Sequence, residues 1–451
     1  MKQNQKTKQV DMLHGPLLGK IIVFALPVAA SSILQQLFNS ADIAVVGRFA
    51  GSQAMAAVGG NSSVTSLLIN LFVGLSVGAN VIIANFVGQQ DTKKVQDVVH
   101  TVMLLAIISG LFLLVVGQFV SAPILKLMNT PSDVIDLATL YLKIYFLGMP
   151  FLMIYNFGSA VLRSIGDTKR PMLSLLVSGM INVCLNLVLV VGFHLDVAGV
   201  GIATVVADAV SAGIILWILM KEQGMIHLDL KKLKMKKEHV KRVIQIGAPA
   251  GVQGMVFSLS NVCIQSGINS FGSNAVAGSA AAVNFEFFTY FVTSAFSQAA
   301  VTFTSQNYGA GQFDRCKKIF RVSLISGVIG TFVMSMIFVL GRGFFIRFYT
   351  TDAAVIDYAL IRIIHVEILA CLPVLYEVGA GALRGIGYSM LPAIITMVGS
   401  CAFRFVWVYT VFQKYDSFEM LLNVYPVTWI ITATMMLIAY FTIRRKVFKS
   451  I

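Results

Sequence analysis

Gly158 to Pro171 reads GSAVLRSIGDTKRP, and Gly379 to Pro392 reads GAGALRGIGYSMLP, with six identities at a constant offset of 221 residues. An offset of 222 aligns Asn39 with Asn261, so one residue is lost between the two regions. A period this long indicates two whole domains related by duplication, because the repeats of solenoid proteins are far shorter.

A basic stretch, residues 221–242, lies between the two related regions. It holds eight Lys or Arg residues in a chain of which only 12% of the residues are charged. We therefore divide the chain into an N-terminal lobe (1–220), a basic linker (221–242) and a C-terminal lobe (243–451).

The composition is that of an integral membrane protein. Of the 451 residues, 57% are hydrophobic and only 12% are charged, whereas about 25% of the residues of a soluble domain are charged. The net charge of +14 would suggest a nucleic-acid partner for a soluble chain. Here the basic residues lie at the ends of apolar segments, as membrane topology requires, so we expect membrane lipids and no nucleic acid as partners.

Twelve apolar runs are long enough to cross a bilayer, since about 20 residues suffice for a helix. Six precede the linker and six follow it, which predicts an all-α membrane protein with twelve transmembrane helices in two pseudo-symmetric six-helix bundles. The runs are 18–47, 53–84, 97–121, 137–158, 171–193, 197–220, 243–269, 275–305, 320–341, 357–381, 391–413 and 425–443.

Lys and Arg residues are concentrated on one side of these spans. That side includes the linker and both termini, with Lys2, Lys6, Lys8, Arg444, Arg445, Lys446 and Lys449. The positive-inside rule places the linker and both termini in the cytoplasm.

The sequence lacks the motifs of several common catalytic and binding sites. The chain contains no G-x-x-x-x-G-K-[ST] phosphate loop and no H-E-x-x-H zinc motif, and no Ser/His/Asp set can be singled out. We therefore expect no enzyme and no cofactor, and we expect transport to be driven by an ion gradient.

The informative residues are charges inside the apolar runs, because an ionisable group within a bilayer is costly unless it is paired or hydrated. Asp42 lies about 33 Å along a helix from Lys20, which leaves open an interfacial acid or a functional one. Glu367 and Arg404 lie at similar depths, about 25 and 20 Å from the cytoplasmic ends of their spans, which predicts an ion pair with either a structural or a gating role. The other buried acids are Asp208, Glu286 and Glu377.

Buried amides accompany these acids, and each one alone is explained by a hydrogen bond between helices. They include Gln36, Asn39, Asn156, Asn182, Asn186, Gln253, Asn261, Gln265 and Asn284. Together, the amides and carboxylates predict a polar cavity. Burial favours a protonated carboxyl group and a nearby cation favours the ionised one. A carboxylate there holds a proton, a metal cation or an organic cation in turn, which is a physical basis for exchange.

At these residues the sequence resembles the multidrug and toxic compound extrusion (MATE) transporter family. The resemblance covers nearly all twelve spans and rests on several motifs taken together. They are LFNSADIAVVG (37–47), LRSIGDTK (162–169), Asn182 with Asn186, VAGVGIAT (197–204), FTSQNYGA (303–310) and LRGIG (383–387).

The resemblance implies two lobes around a central cavity, alternating access, and export of cationic or amphipathic drugs in exchange for H+ or Na+. It gives the coupling role to Asp42, with a candidate Na+ site nearby, and an amide network to Asn182 and Asn186. Asn186 stands where one branch of the family has a second acid, and residues 249–270 lack the acid of another branch, so both ions stay open. The expected location is a bacterial plasma membrane, and two lobes in one chain favour a functional monomer.

Other functions fit the sequence less well. A lipid-linked oligosaccharide flippase of the related superfamily is the alternative, although it would favour extra spans and a cationic cavity over the acids found here. A membrane-embedded enzyme would need a nucleophile, a metal cluster or an acid pair. A purely structural membrane protein would not need these buried acids and amides.

Overall fold

A computed structural model describes residues 9–128, 130–347 and 350–448, and every regular element within those ranges is helical. Four basic residues of the topology pattern, Lys2, Lys6, Lys8 and Lys449, lie outside the described residues.

The first half contains eight α-helices, and the seventh continues into a π-helical segment, Leu187–Gly192. The helices are α1 Leu17–Phe49, α2 Ser52–Gly60, α3 Ser62–Gly88, α4 Thr92–Leu127, α5 Ile135–Leu147, α6 Met149–Ser164, α7 Lys169–Asn186 and α8 Asp196–Lys221.

The second half follows a short 3-10 helix in the linker, Leu230–Lys232. Its helices are α9 Lys237–Asn269, α10 Ser273–Gly309, α11 Phe313–Arg347, α12 Ala353–Glu367, α13 Leu372–Gly385, α14 Met390–Thr396, the π-helical segment Met397–Ala402, α15 Phe403–Tyr409, α16 Val411–Lys414, α17 Phe418–Leu422 and α18 Val424–Val447.

The predicted spans are confirmed. Lipid offers no partner for backbone N–H and C=O groups, so an apolar run must satisfy them within a helix. Ten helical segments of the described chain are long and apolar enough to cross a membrane, and two bent helix pairs raise the number to twelve.

The two bent pairs occupy related positions in the two halves. Helices α5 and α6 meet at 48°, and α12 and α13 meet at 47°. A proline, Pro150 or Pro373, lies in the first turn of the second helix of each pair, and it lacks the N–H that a continuous helix would use.

The two stretches related by the repeat adopt the same turn. Gly166 has φ of +86° and Gly387 has φ of +93°, a conformation that glycine adopts at little cost. The Gly166 N–H donates to the Arg163 carbonyl at 2.9 Å, and the Gly387 N–H donates to the Arg384 carbonyl at 2.8 Å. This geometry ends α6 and α13 alike, so the duplication is visible in the backbone as well as in the sequence.

Contacts between residues divide the described chain into two compact units. The first contains Ala30–Gly251 and residues 9–10, and the second contains Asp11–Ala29 and the described residues from Val252 onward. In both α1 and α9 the change of unit comes two residues after a proline, Pro27 or Pro249. The lobe boundaries drawn from the linker stay a prediction.

Within the first unit, α3 packs closely against the beginning of α9. Gly74 and Gly78 of α3 face Gly247 and Gly251 of α9, and a Cβ atom at Gly74 would lie 2.8 Å from the Gly247 carbonyl oxygen. Small residues four apart let two membrane helices approach with backbones in contact. The Gly74-x-x-x-Gly78 motif therefore serves packing.

Segments that the charge pattern places in the cytoplasm contact each other in the first unit. The Arg170 guanidinium forms an ion pair with Glu222 of the linker at 2.7 Å. The Thr101 hydroxyl donates to the Lys234 carbonyl at 3.1 Å, and Lys236 pairs with Asp97. The linker is thus bound to the ends of α4 and α7.

Candidate functional site

Asp42 lies in the second part of α1 and belongs to the first unit. Its side chain is buried, with 6% of the residue exposed. The ion pairs of this unit, within the described ranges, join other carboxylates, and Asp42 takes part in none of them. Moving an ionised carboxylate from water into a protein interior costs on the order of several kcal/mol, unless a cation or hydrogen bonds compensate its charge.

Side chains of two other helices lie beside this carboxylate. From α7, the Asn186 side-chain amide donates to Asp42 Oδ1, and the same Nδ2 atom lies 3.3 Å from Asn182 Oδ1. From α8, Thr204 lies close enough to influence Asp42, and its hydroxyl donates to the Val200 carbonyl of its own helix at 3.0 Å. Asn182 and Asn186 lie one helical turn apart and therefore share a face of α7. The structure thus brings together Asp42, Asn182 and Asn186, and their roles in transport stay a prediction.

A second carboxylate, Asp208 of α8, lies near enough to interact electrostatically with Asp42. Asp208 is half-buried, and its carboxylate lies beside Gly148, where a Cβ atom would be 3.4 Å from Oδ2. Gly148 is the residue at which α5 and α6 bend. Neither acid has a cationic partner among the described residues, so each is stabilised by a bound proton or by a cation.

Three predicted site residues make no hydrogen bond to Asp42 within the described chain. Asn39 is exposed. Gln36 is half-buried and accepts at its backbone carbonyl from the Ser40 hydroxyl. The Asn156 amide donates to the Leu152 carbonyl of its own helix at 2.9 Å. Their predicted role in a polar cavity stays a prediction.

In the second unit, Glu286 pairs with an arginine that was not among the predicted site residues. Arg362 donates from Nε and Nη2 to the two carboxylate oxygens of Glu286 at 2.6 and 2.9 Å, and 3% of Arg362 is exposed. A third bond joins Nη2 to the Tyr425 hydroxyl at 3.2 Å. Arg362 lies inside the apolar run 357–381, so its charge was a signal available in the sequence.

The predicted ion pair between Glu367 and Arg404 is wrong. The Glu367 carboxylate is 0% exposed and accepts from the Thr289 hydroxyl at 3.0 and 3.2 Å. The Arg404 guanidinium instead donates to Ser260 and Asn261 of α9. Similar depth does not ensure contact, because residues at one depth on different helices point in different directions.

Glu377 of α13 is half-buried, and the electrostatic influence of Arg384 reaches it. Arg384 itself is buried and donates from Nη2 to Gln253 at 2.5 Å. The predicted role of Glu377 in a polar cavity stays a prediction. No group of three or more His, Cys, Asp or Glu side chains suited to a metal ion occurs in the described part of the chain.

Comparison with known proteins agrees with the repeat and the fold. The MatE family model matches residues 27–188 and again 249–410, an offset of 222. A probable multidrug resistance protein of Bacillus subtilis, YoeA, is 30% identical over 73% of this chain and 73% of its own length. The probable multidrug resistance protein NorM of Thermotoga maritima is 26% identical over 84% of this chain and 82% of its own length.

Solved structures share the fold. A multidrug resistance MATE family transporter in an outward-facing conformation superposes with a TM-score of 0.91, 20% identity and coverage of 98% of this chain and 99% of that one. A MATE protein in its bent conformation gives 0.90 at 19% identity, with coverage of 98% and 99%. With the family model matched over both halves, these findings show that the chain belongs to the MATE family of transport proteins.

Proposed function

We propose that the chain is a secondary active exporter that moves cationic or amphipathic organic compounds out of the cell in exchange for H+ or Na+ by alternating access. The observation that carries the proposal is Asp42, a buried carboxylate without a cationic partner in the described part of the first unit. The names of the relatives, multidrug resistance and multidrug export proteins, support the class of substrate.

Exchange follows from competition for one negative charge. A proton, a sodium ion or an organic ammonium group each compensates the Asp42 carboxylate, and the binding of one weakens the binding of the others. Asp208 adds a second negative charge nearby, which strengthens the preference for cations. No cofactor other than the coupling ion is needed for this cycle.

The side chains around Asp42 suit either coupling ion. Hard cations bind oxygen ligands, and oxygens are available from Asp42, Asn182, Asn186 and Thr204. The Asn186 Oδ1 atom is buried and has no hydrogen-bond partner among the described residues. That atom would be a ligand for Na+.

The topology completes the proposal. A bacterial plasma membrane with the linker and both termini in the cytoplasm agrees with the bacterial relatives and with the positive-inside rule. The contacts that bind the linker to the ends of α4 and α7 support a common side for those segments. One chain carrying both lobes functions as a monomer.

The test is export of a fluorescent organic cation from proteoliposomes under an H+ or a Na+ gradient applied separately. The wild type exports the dye under one of the two gradients, and Asp42→Asn reduces that export to the background rate. Asp136→Asn, the same substitution at an exposed acid of the same unit, keeps the wild-type rate. Gradient-driven export by Asp42→Asn at the wild-type rate would refute the role of Asp42.

A further inference from the structure

Three arginines are buried in the second unit, Arg362, Arg384 and Arg404. Arg362 forms two hydrogen bonds to Glu286, and Arg384 is under the electrostatic influence of Glu377. Arg404 is 1% exposed and belongs to none of the ion pairs formed by the described residues of this unit. A buried cation without an anion is costly, so the difference between Arg404 and the other two arginines requires a cause.

The protein compensates the Arg404 charge only in part. The guanidinium carbon lies 4.7 Å from the Phe257 ring centroid and 5.1 Å from the Tyr425 ring centroid. Nη1 donates to the Ser260 hydroxyl at 3.1 Å and to Asn261 Oδ1 at 2.7 Å. Cation–π contacts and neutral acceptors are each weaker than a carboxylate bound by two parallel hydrogen bonds.

One hydrogen-bond donor of Arg404 is left over. Its Nε–H is buried and has no acceptor in the described part of the chain. An unsatisfied buried donor of a charged group costs at least as much as a lost hydrogen bond. The rigid fork of guanidinium N–H groups matches the two oxygens of a carboxylate, so an anionic ligand supplies what the site lacks.

The repeat gives this site a counterpart of opposite charge. Asn261 of α9 corresponds to Asn39 of α1 at the offset of 222, three residues before Asp42. Arg404 corresponds to Val183 of α7 at the offset of 221, next to Asn182. In the first half, the contact between the first and fifth spans, α1 and α7, thus includes an acid, Asp42. In the second half, the related contact between α9 and α15 includes a base, Arg404.

Local helix geometry also distinguishes this position. The π-helical segment Met397–Ala402 ends two residues before Arg404. Short π-helical segments are uncommon and occur often at functional sites, where the extra residue leaves backbone groups able to change partners.

We infer that Arg404, with Ser260, Asn261, Phe257 and Tyr425 around it, binds an anionic group, such as a carboxylate, of the exported compound. The inference rests on the proposed export function. It adds to that function a second recognition element, which selects for an anionic group where Asp42 selects for a cationic one.

The experiment uses two probes that differ in one group, a xanthene dye with a cationic ring system and a free carboxylate, and the methyl ester of the same dye. Binding of each dye to the purified full-length protein is measured by fluorescence polarisation. The variants are Arg404→Met, Arg404→Lys and, as the matched control, Arg347→Met, which removes an exposed arginine of the same unit. Thermal unfolding verifies that each variant is folded.

Arg404→Met weakens binding of the carboxylate dye by about tenfold to a hundredfold, the range for a charge-assisted hydrogen bond, and leaves ester binding nearly unchanged. Arg404→Lys gives an intermediate loss, because lysine keeps the charge without the planar fork. Arg347→Met affects neither dye.

An equal loss for both dyes, or no loss for either, would overturn the inference. If Arg404→Met does not fold, the same comparison of the two dyes is made with Arg404→Lys. Gradient-driven export of the ester by the wild type tests the proposed function separately, since the ester has no carboxylate for Arg404 to recognise.

Discussion

Asn186 donates its side-chain amide to the Asp42 carboxylate, although the two residues are 144 positions apart in the sequence. The bond joins α7 to α1, and through it the amide stabilises the buried negative charge of Asp42. Its removal therefore changes how strongly Asp42 attracts a cation.

Asn186→Leu is expected to raise the apparent affinity of Asp42 for a coupling proton by about tenfold, since a hydrogen bond to a charged group is worth about 1.5–3 kcal/mol and tenfold corresponds to about 1.4 kcal/mol. Tighter proton binding slows proton release, so export slows as well. For a coupling Na+ the same substitution removes an oxygen ligand and weakens binding. Both quantities are measured in proteoliposomes as a function of ion concentration. Asn85→Leu is the control, because Asn85 of α3 accepts from Gln89 of its own helix. An unchanged ion dependence in Asn186→Leu would show that the bond does not influence coupling.

The pair of Glu286 and Arg362 is expected to be structural. Arg362→Met leaves Glu286 without its cation and lowers the free energy of unfolding by about 3–5 kcal/mol. The double variant, Glu286→Leu with Arg362→Met, recovers most of that loss, because two apolar side chains replace both charges. Unfolding in mixed micelles, followed by circular dichroism, measures the three proteins. A double variant as unstable as the single one would mean that Arg362 stabilises the unit by other contacts.

Close packing of α3 on α9 predicts opposite effects for two Gly→Ala substitutions. At Gly74 the added Cβ would meet the backbone of Gly247 and Gly251, so Gly74→Ala destabilises by about 1–3 kcal/mol, as overpacking does. At Gly213 of α8 the space is open, so Gly213→Ala stabilises by about 0.5–1 kcal/mol through helix propensity. Thermal unfolding of the two variants compares them. Equal changes at the two sites would contradict the close approach.

The spans were predictable because a bilayer requires long apolar runs, and the repeat was predictable because sequence records duplication. The bends at Gly148 and after Glu367 were not predicted, since hydropathy continues across both breaks. Similar depths were predicted for Glu367 and Arg404, but the direction in which each side chain points is set by packing, which a count of residues along a helix does not record. For the same reason the partner of Glu286, Arg362, was overlooked although its charge interrupts an apolar run.

The contact of Asp42 with Asn186 illustrates the same limit. Both residues were predicted to belong to the site, from the family resemblance and from their polarity within apolar runs. Their hydrogen bond depends on how α7 packs against α1, which no spacing within either helix records.

The central claim is that the coupling ion and the organic cation compete for Asp42, and equilibrium binding tests it most directly. The affinity of the purified protein for a cationic dye is measured while pH is varied without Na+, and then while Na+ is varied at constant pH. The account predicts that one ion raises the apparent Kd in proportion to its concentration in the wild type, and that Asp42→Asn abolishes the dependence. An apparent Kd that changes with neither ion in the wild type, or that changes equally in Asp42→Asn, would contradict competition for Asp42.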